Sequence, residues 1–399
     1  VAFSEDKADF RRLDSGISTG MEVVVSAEVN AEGRPISLTN HGSRTREIEL
    51  TSYAEVVLAS PNADNAHQAF SNLFIETEFI AGENALLAHR RLRSSDERPI
   101  WGVHVVVAEG ELVGAVQYET DRGRFLGRGR TPGNPIAVME DRPLSNTTGA
   151  VLDPVFSLRR RVRIQRNQTV RCSFSTAVAR SREEAIALAD KYHDPNIFER
   201  ELRLAWTKAQ VEMSHLKVDA DEAHLFQRLA ARIVYSDPSL RPTPHVLALN
   251  SKAQSSLWTY GISGDLPIVV VRINKAADLR TVKKLVRAHE YLHYKGLRID
   301  LVILNDTPTD YLQLLHGELE TTIRTSGLQG LQDKPGGVYL RRSDQMPEPD
   351  RILLHAVARV VIVAERGSFE QQIERTRVEE PLPPPFVPRL PSQTYPELT

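Results

Sequence analysis

Residues 157–165 read SLRRRVRIQ. Side chains alternate across a strand, so Leu158, Val162 and Ile164 fall on one side and Arg159, Arg161 and Arg163 on the other. A strand with one apolar and one charged face belongs to an antiparallel sheet with one side on a core and the other in water. The stretches around it agree. MEVVVSAEV (21–29), REIELTSYAEVVLA (46–59), WGVHVVVAEG (101–110) and VRCSFSTAVA (170–179) are rich in β-branched and aromatic residues. Glu32-Gly33, His41-Gly42 and Asn167-Gln168 read as the turns between them. No long helical pattern precedes residue 181, so residues 1–180 are expected to form a large antiparallel β-sandwich.

Helical periodicity takes over at Ser181, which has capping-box spacing with Glu184. Asp194-Pro195 supplies an N-cap and a first-turn proline for residues 196–216. Asp219 and Glu222 repeat the box before AHLFQRLAARIVY (223–235). Residues 181–250 therefore read as a helical linker. LPIVVVRI (266–273) is then a continuous apolar run, as in a parallel strand buried on both faces. A helix over roughly 278–295, the strand RIDLVILN (298–305), a helix from Thr307-Pro308 to about 325, the strand GGVYLRR (336–342) and a helix PDRILLHAVARVVIVA (349–364) follow. That order predicts a small parallel β-α-β-α-β-α unit over 251–378. The fold class is multidomain α+β: sandwich, helical linker, parallel unit. The last 21 residues, 379–399, contain seven prolines and read as a semi-rigid linker. With no initial Met and such a tail, the chain reads as a piece of a longer polypeptide.

Composition narrows the function. Over 399 residues, 50 Lys and Arg balance 52 Asp and Glu, for a net charge of −2. No nucleic-acid partner is suggested. No apolar run approaches the roughly 18–20 residues that cross a bilayer, so no direct membrane insertion by this segment is expected. The single cysteine, Cys172, excludes an internal disulfide framework.

Two segments carry candidate chemistry. RAHEYLHYKG (287–296) contains His289-Glu290-Tyr291-Leu292-His293, the H-E-x-x-H spacing with which zinc peptidases hold a metal and activate water. Glu318 and Glu320 are distant candidates for a third ligand. Against this, Leu285, Val286, His289 and Leu292 share a face spaced for packing on a sheet, and the chain enters a buried strand directly after Gly296. The packing reading is preferred, with no metal or other cofactor expected. The second segment is YETDRGRFLGRGRTPGNPIAV (118–138). Arg122, Arg124, Arg128 and Arg130 alternate with glycines and Phe125. Guanidinium forks bind carboxylates, phosphates or sugar hydroxyls, and glycines let a ligand approach the backbone. The alternative is a solvated loop pinning two strands through salt bridges. Trp101, Tyr118 and Trp258 are candidate platforms for a sugar ring. At the carboxyl ends of the parallel strands stand Asn274, Asn305-Asp306 and Arg341-Arg342-Ser343-Asp344. No nucleophile motif is present.

Taken together, REIELTSYAEVVLASPNADNAHQAFSNLFIETEF (46–79), TDRGRFLGRGR (120–130), PLSNTTGAVLDPVFSLRRRVRI (143–164), DEAHLFQRLA (221–230), GISGDLPIVVVRI (261–273) and LVRAHEYLHYKGLRIDLVILN (285–305) resemble the cyclic β-1,2-glucan synthases, very large bacterial membrane enzymes. The resemblance covers nearly the whole chain. It implies an interior, soluble, cytoplasmic segment of an inner-membrane enzyme: a supersandwich related to glycoside phosphorylase family 94 (formerly glycosyltransferase family 36), a helical linker and an α/β unit. The family's catalytic acid lies in a D-W-N-D-type motif on a barrel that is absent from this sequence, so no catalytic residue is carried over. The implied role is an accessory, carbohydrate-binding or scaffolding segment, with β-1,2-glucan and other domains of the same polypeptide as partners. Trp101, Arg122, Phe125, Arg128 and Arg130 are the expected sugar contacts. A self-contained glycoside phosphorylase or transglycosylase, or a zinc hydrolase using His289, Glu290 and His293, is the alternative.

Overall fold

The computed structural model describes residues 1–92, 94, 96–235, 237–307 and 312–374. The proline-rich stretch 379–399 and the helix start expected at Pro308 lie outside them. The chain divides into two compact units, Val1–Lys217 and Val218–Thr399. Helices expected as one linker over 181–250 are thereby shared between the two units. Among the described residues, no helix is long and apolar enough to cross a membrane.

The first unit is a sandwich. Its strands are β1 (Ala2–Phe3), β2 (Lys7–Asp14), β3 (Ile17–Val25), β4 (Ala31–Asn40), β5 (Arg46–Thr51), β6 (Ala54–Glu55), β7 (Ile75–Ile80), β8 (Ala85–Arg90), β9 (Trp101–Ala108), β10 (Glu111–Asp121), β11 (Gly149–Ala150), β12 (Pro154–Ile164) and β13 (Thr169–Ala179). Among the described residues, nine form one sheet in the order β1-β2-β3-β4-β13-β9-β8-β7-β11. The facing sheet is β10-β12-β5, with β6 also on β12. Every pair is antiparallel. The short helices α1 (Pro61–Ala66), α2 (Gln68–Asn72), α3 (Arg122–Leu126) and α4 (Ile136–Met139) sit in its loops.

The alternation in β12 builds the core. Leu158, Val162 and Ile164 are fully buried, with Leu38, Val170, Phe156 and Phe174 among their companions. Arg161 and Arg163 remain half-exposed and pair with Glu49, Glu47 and Glu111. Arg159 departs from the expected charged face: its side chain is 4% exposed, because the loop from 122 to 148 covers it. The turn expected at Glu32-Gly33 is also corrected. Both residues lie inside β4, opposite Thr176 and Ser175 of β13. Glycine serves there for packing, since a Cβ at Gly33 would come within 3.0 Å of the Phe198 ring.

Two helices close one end of the large sheet. Ser181 accepts the Glu184 N–H and starts α5 (Arg182–His193). The next helix, α6 (Ile197–Leu216), begins two residues later than Asp194-Pro195 implied. Asp194 instead accepts the Asn196 N–H in the preceding turn. Leu188, Tyr192 and Phe198 cover Val103, Val105 and Ala177 on the sheet's outer face.

The second unit starts with α7 (Ala220–Val234), capped by Asp219, followed by α8 (Pro244–Ala248). Its strands β14 (Ile268–Ile273), β15 (Asp300–Asn305), β16 (Val338–Arg342) and β17 (Val360–Val363) form a parallel sheet in the order β16-β15-β14-β17. Between and after them run α9 (Leu279–Tyr294), α10 (Leu312–Arg324), α11 (Glu348–Val357) and α12 (Phe369–Ile373). The fourth strand corrects the sequence reading, which continued the last helix to 364. The helix stops at Val357, and the β-branched run after Arg359 joins the open edge of β14, with Val360 and Ile362 fully buried.

Candidate functional site

The arginine-glycine segment forms a small lobe on the smaller, four-stranded sheet of the sandwich. Asp121 ends β10 and caps α3 by accepting the Arg124 N–H at 3.2 Å. Gly127 and Gly129 then take φ values of 83° and 72°, a region strained for residues with a side chain. Thr131 and Asn134 close a turn through their side chains, and Pro135 leads into α4. On the way back Asn146 exchanges hydrogen bonds with Tyr118, its N–H to the Tyr118 carbonyl and its Oδ1 from the Tyr118 N–H, both at 2.9 Å.

The lobe has a core of its own, made of Phe125, Leu126, Ala137 and Leu144 with Tyr53 against it. Phe125 is 3% exposed and stacks on Tyr53 with 4.8 Å between ring centroids. Two buried polar groups clamp the lobe to the sheet. Arg159 donates to Thr51 Oγ1 and the Arg142 carbonyl at 2.9 Å each, and to the Ala137 carbonyl. Burial pulls its pKa down, yet a guanidinium stays charged in proteins. Glu119 accepts the N–H groups of Thr120 and Asp121 at 3.0 Å and the Ser145 hydroxyl.

The other arginines divide by role. Arg122 donates to Glu55 Oε1 at 2.9 Å and lies 3.4 Å from Asp153 Oδ2. Tyr53 and Arg122 together hold the Glu55 carboxyl below the usual carboxylate range. Arg124 donates to Thr147 at 2.9 Å. Arg130 and Arg142 share Glu140 at 2.9 and 2.7 Å. Arg128 is exposed and makes no hydrogen bond or ion pair with the described residues. Beside this turn, Val138 and Met139 are 57% and 63% exposed.

Of the five expected contacts, the structure brings Arg122, Phe125, Arg128 and Arg130 into this lobe. Phe125 is part of its core, so its ring face is occupied by Tyr53 and a sugar cannot stack on it. Trp101 belongs to β9 in the other sheet, where it stacks on His89 at 4.5 Å and packs against the cluster under α5. Sequence reasoning missed Arg159, Glu119 and Glu140, on which the lobe depends. Only the excess of arginine over lysine in 157–163 hinted at Arg159.

The H-E-x-x-H helix has a different local order. His289 is 1% exposed, and its Nε2 lies 2.9 Å from the Ile299 carbonyl, to which it donates. Burial, offset in part by that bond, pushes its pKa down to about 4. The His293 ring is 6.5 Å away, and Glu320 faces His316 at 3.6 Å. Among the described residues, no three His, Cys, Asp or Glu side chains gather to hold a metal ion.

Residues 1–195 match the family model of the glycosyl hydrolase 94 supersandwich domain. Over 374 residues, 94% of its length, the chain is 37% identical to the cyclic β-(1,2)-glucan synthase NdvB of Rhizobium meliloti (strain 1021). It is 30% identical over 141 residues, 35% of its length, to the solabiose phosphorylase of Paenibacillus borealis. It spans 13% and 17% of these two relatives. Among solved structures it is similar to a putative kojibiose phosphorylase from the human microbiome. That match has a TM-score of 0.31 and 8% identity, and covers 52% of this chain and 23% of the other.

Proposed function

Given that residues 1–195 belong to the glycosyl hydrolase 94 supersandwich family and that 94% of the chain is related to part of a cyclic β-(1,2)-glucan synthase, we propose that the chain is an accessory segment of such a synthase. It holds glucan or docks neighbouring catalytic domains of the same polypeptide. On this reading it is a cytoplasmic portion of an inner-membrane enzyme, and the chemistry is done elsewhere. The observation that carries the reading is the clamped lobe. Arg159 and Glu119 hold a turn on which Arg128 stands exposed between two glycines. A rigid mount lowers the entropy lost when a flexible ligand binds, and guanidinium donors suit sugar hydroxyls. Arg122 and Arg130, each held by a carboxylate, shape the mount, Arg124 lies at its edge on Thr147, and Arg128 reaches outward. Val138 and Met139 offer an apolar rim to a neighbouring domain.

Calorimetric titration with linear β-1,2-glucan tests this. Saturable binding that weakens about tenfold in Arg128→Ala, the loss of roughly one good polar contact, is expected. Unchanged binding in Arg128→Ala with Arg124→Ala contradicts the lobe as the contact. A self-contained phosphorylase would instead release glucose 1-phosphate from the glucan when phosphate is added.

A further inference from the structure

The nine-stranded sheet has an outer face; α5 and the start of α6 seal one end of it, and α6 runs on as a wall of the rest through Phe198, Glu199 and Leu202. The other end is an open trough of about 770 Å³. Its form follows from the strand register. Arg11 pairs with Gly20, Gly20 with Ser37, and Ser37 with Arg171, so four residues stand in one cross-strand row. The Glu109 N–H donates to the Arg171 carbonyl at 2.9 Å and extends the row. In the next row on the same face, Asp9 pairs with Glu22, and Pro35 with Ser173. In the first row short residues occupy the middle strands and long charged ones the flanks; the second adds Glu22 on β3, and Glu199 of α6 stands beside Arg171 at 3.6 Å. Neighbouring strands lie about 4.8 Å apart, so the trough from β2 to β13 is roughly 14 Å across.

Two features point to the occupant. Gly20 lies inside a strand, where it presents no side chain and leaves the trough floor low. A Cβ there would come within 2.9 Å of Ser37 Oγ. Charge is the second feature. Arg11, Arg12 and Arg171 line the trough against Asp9, Glu22, Glu109 and Glu199, a near balance that attracts neither a polyanion nor a polycation. Donors and acceptors nevertheless stand on both flanks, which suits a neutral chain of hydroxyl groups. The loose, exposed Arg171–Glu199 pair can exchange its mutual contact for such hydroxyls.

We propose that this trough holds a neutral glucan segment, laid over Gly20 and Ser37 and gripped by Arg171, Glu199 and Glu109 on one flank and Arg11 on the other. The proposal rests on the glucan reading above and adds a site separate from the Arg128 lobe. The test is calorimetric titration of the full chain with linear β-1,2-glucan, comparing Arg171→Ala/Glu199→Ala, Ser37→Trp and Arg128→Ala. The flank variant should melt like the parent and bind about tenfold more weakly, and Ser37→Trp should lose still more. If both trough variants bind like the parent while Arg128→Ala binds poorly, the trough is overturned and the lobe stands. Loss in the trough variants with Arg128→Ala unchanged supports the trough and overturns the lobe as the contact. A parent chain that binds no glucan, as when another domain covers this face, overturns both.

Discussion

Lowering the pH from 7.5 to 5 is expected to cost the sandwich about 2 kcal/mol through one imidazole, His104 of β9. The ring is 4% exposed, and both nitrogens are engaged, Nε2 at 2.8 Å from Ser52 Oγ and Nδ1 at 2.9 Å from Thr176 Oγ1. Phe156 and Phe174 lie nearly parallel to it at 5.7 and 6.0 Å. Burial, and after it the charge of Arg34, push the pKa down from 6.5 to about 4. A depressed histidine pKa means that the unfolded chain takes up the proton first as the pH falls. The stability carried by the neutral ring is thus complete above about 6.5 and is lost progressively toward 4, at about 1.4 kcal/mol per pH unit. The assay is hydrogen exchange of the β9 and β13 amides at the two pH values, which separates this loss from the parallel one at His289 in the second unit. His104→Gln keeps a donor and an acceptor but does not titrate, so it should flatten the dependence in the sandwich alone. An equal pH dependence in His104→Gln, or a His104 pKa near 6.5 by NMR, refutes the reasoning.

Arg159→Met leaves the carbonyls of Ala137 and Arg142 without their donor. It should cost about 2–4 kcal/mol and speed hydrogen exchange over 122–148 while the parallel sheet is unaffected. Gly33→Ala places a Cβ 3.0 Å from the Phe198 ring, so thermal melts should show a loss of about 1–3 kcal/mol from overpacking. Cys172 is 1% exposed, and burial pushes its thiol up to about 12. It should resist iodoacetamide at pH 8 in the native chain and react readily once the chain is denatured.

Elements dictated by local chemistry were legible in the sequence. The alternation in 157–165, the cap at Ser181 and the apolar run at 266–273 each name their structure because one periodicity or one capping group suffices. Where the deciding partner is remote, the reading failed. Gly33 resembles a turn residue until Phe198, 165 positions on, claims the space above it. The run after Arg359 continues a helical period and becomes a strand only because β14 has an open edge. The same holds for the lobe. Its arginines and glycines stand out in the sequence, but Phe125 turns inward to Tyr53, and Arg159 is buried by a loop that precedes it in the chain. Nothing local marks the trough either, since its two rows are assembled from four strands.

The most direct test of the account is the hydrogen-exchange footprint of the full chain with and without saturating linear β-1,2-glucan. The account predicts protection within the sandwich unit, in the 122–142 lobe and across the trough strands around Gly20, Ser37 and Arg171, with the unit from Val218 onward unchanged. No protection anywhere, or protection confined to the parallel-sheet unit, would contradict it.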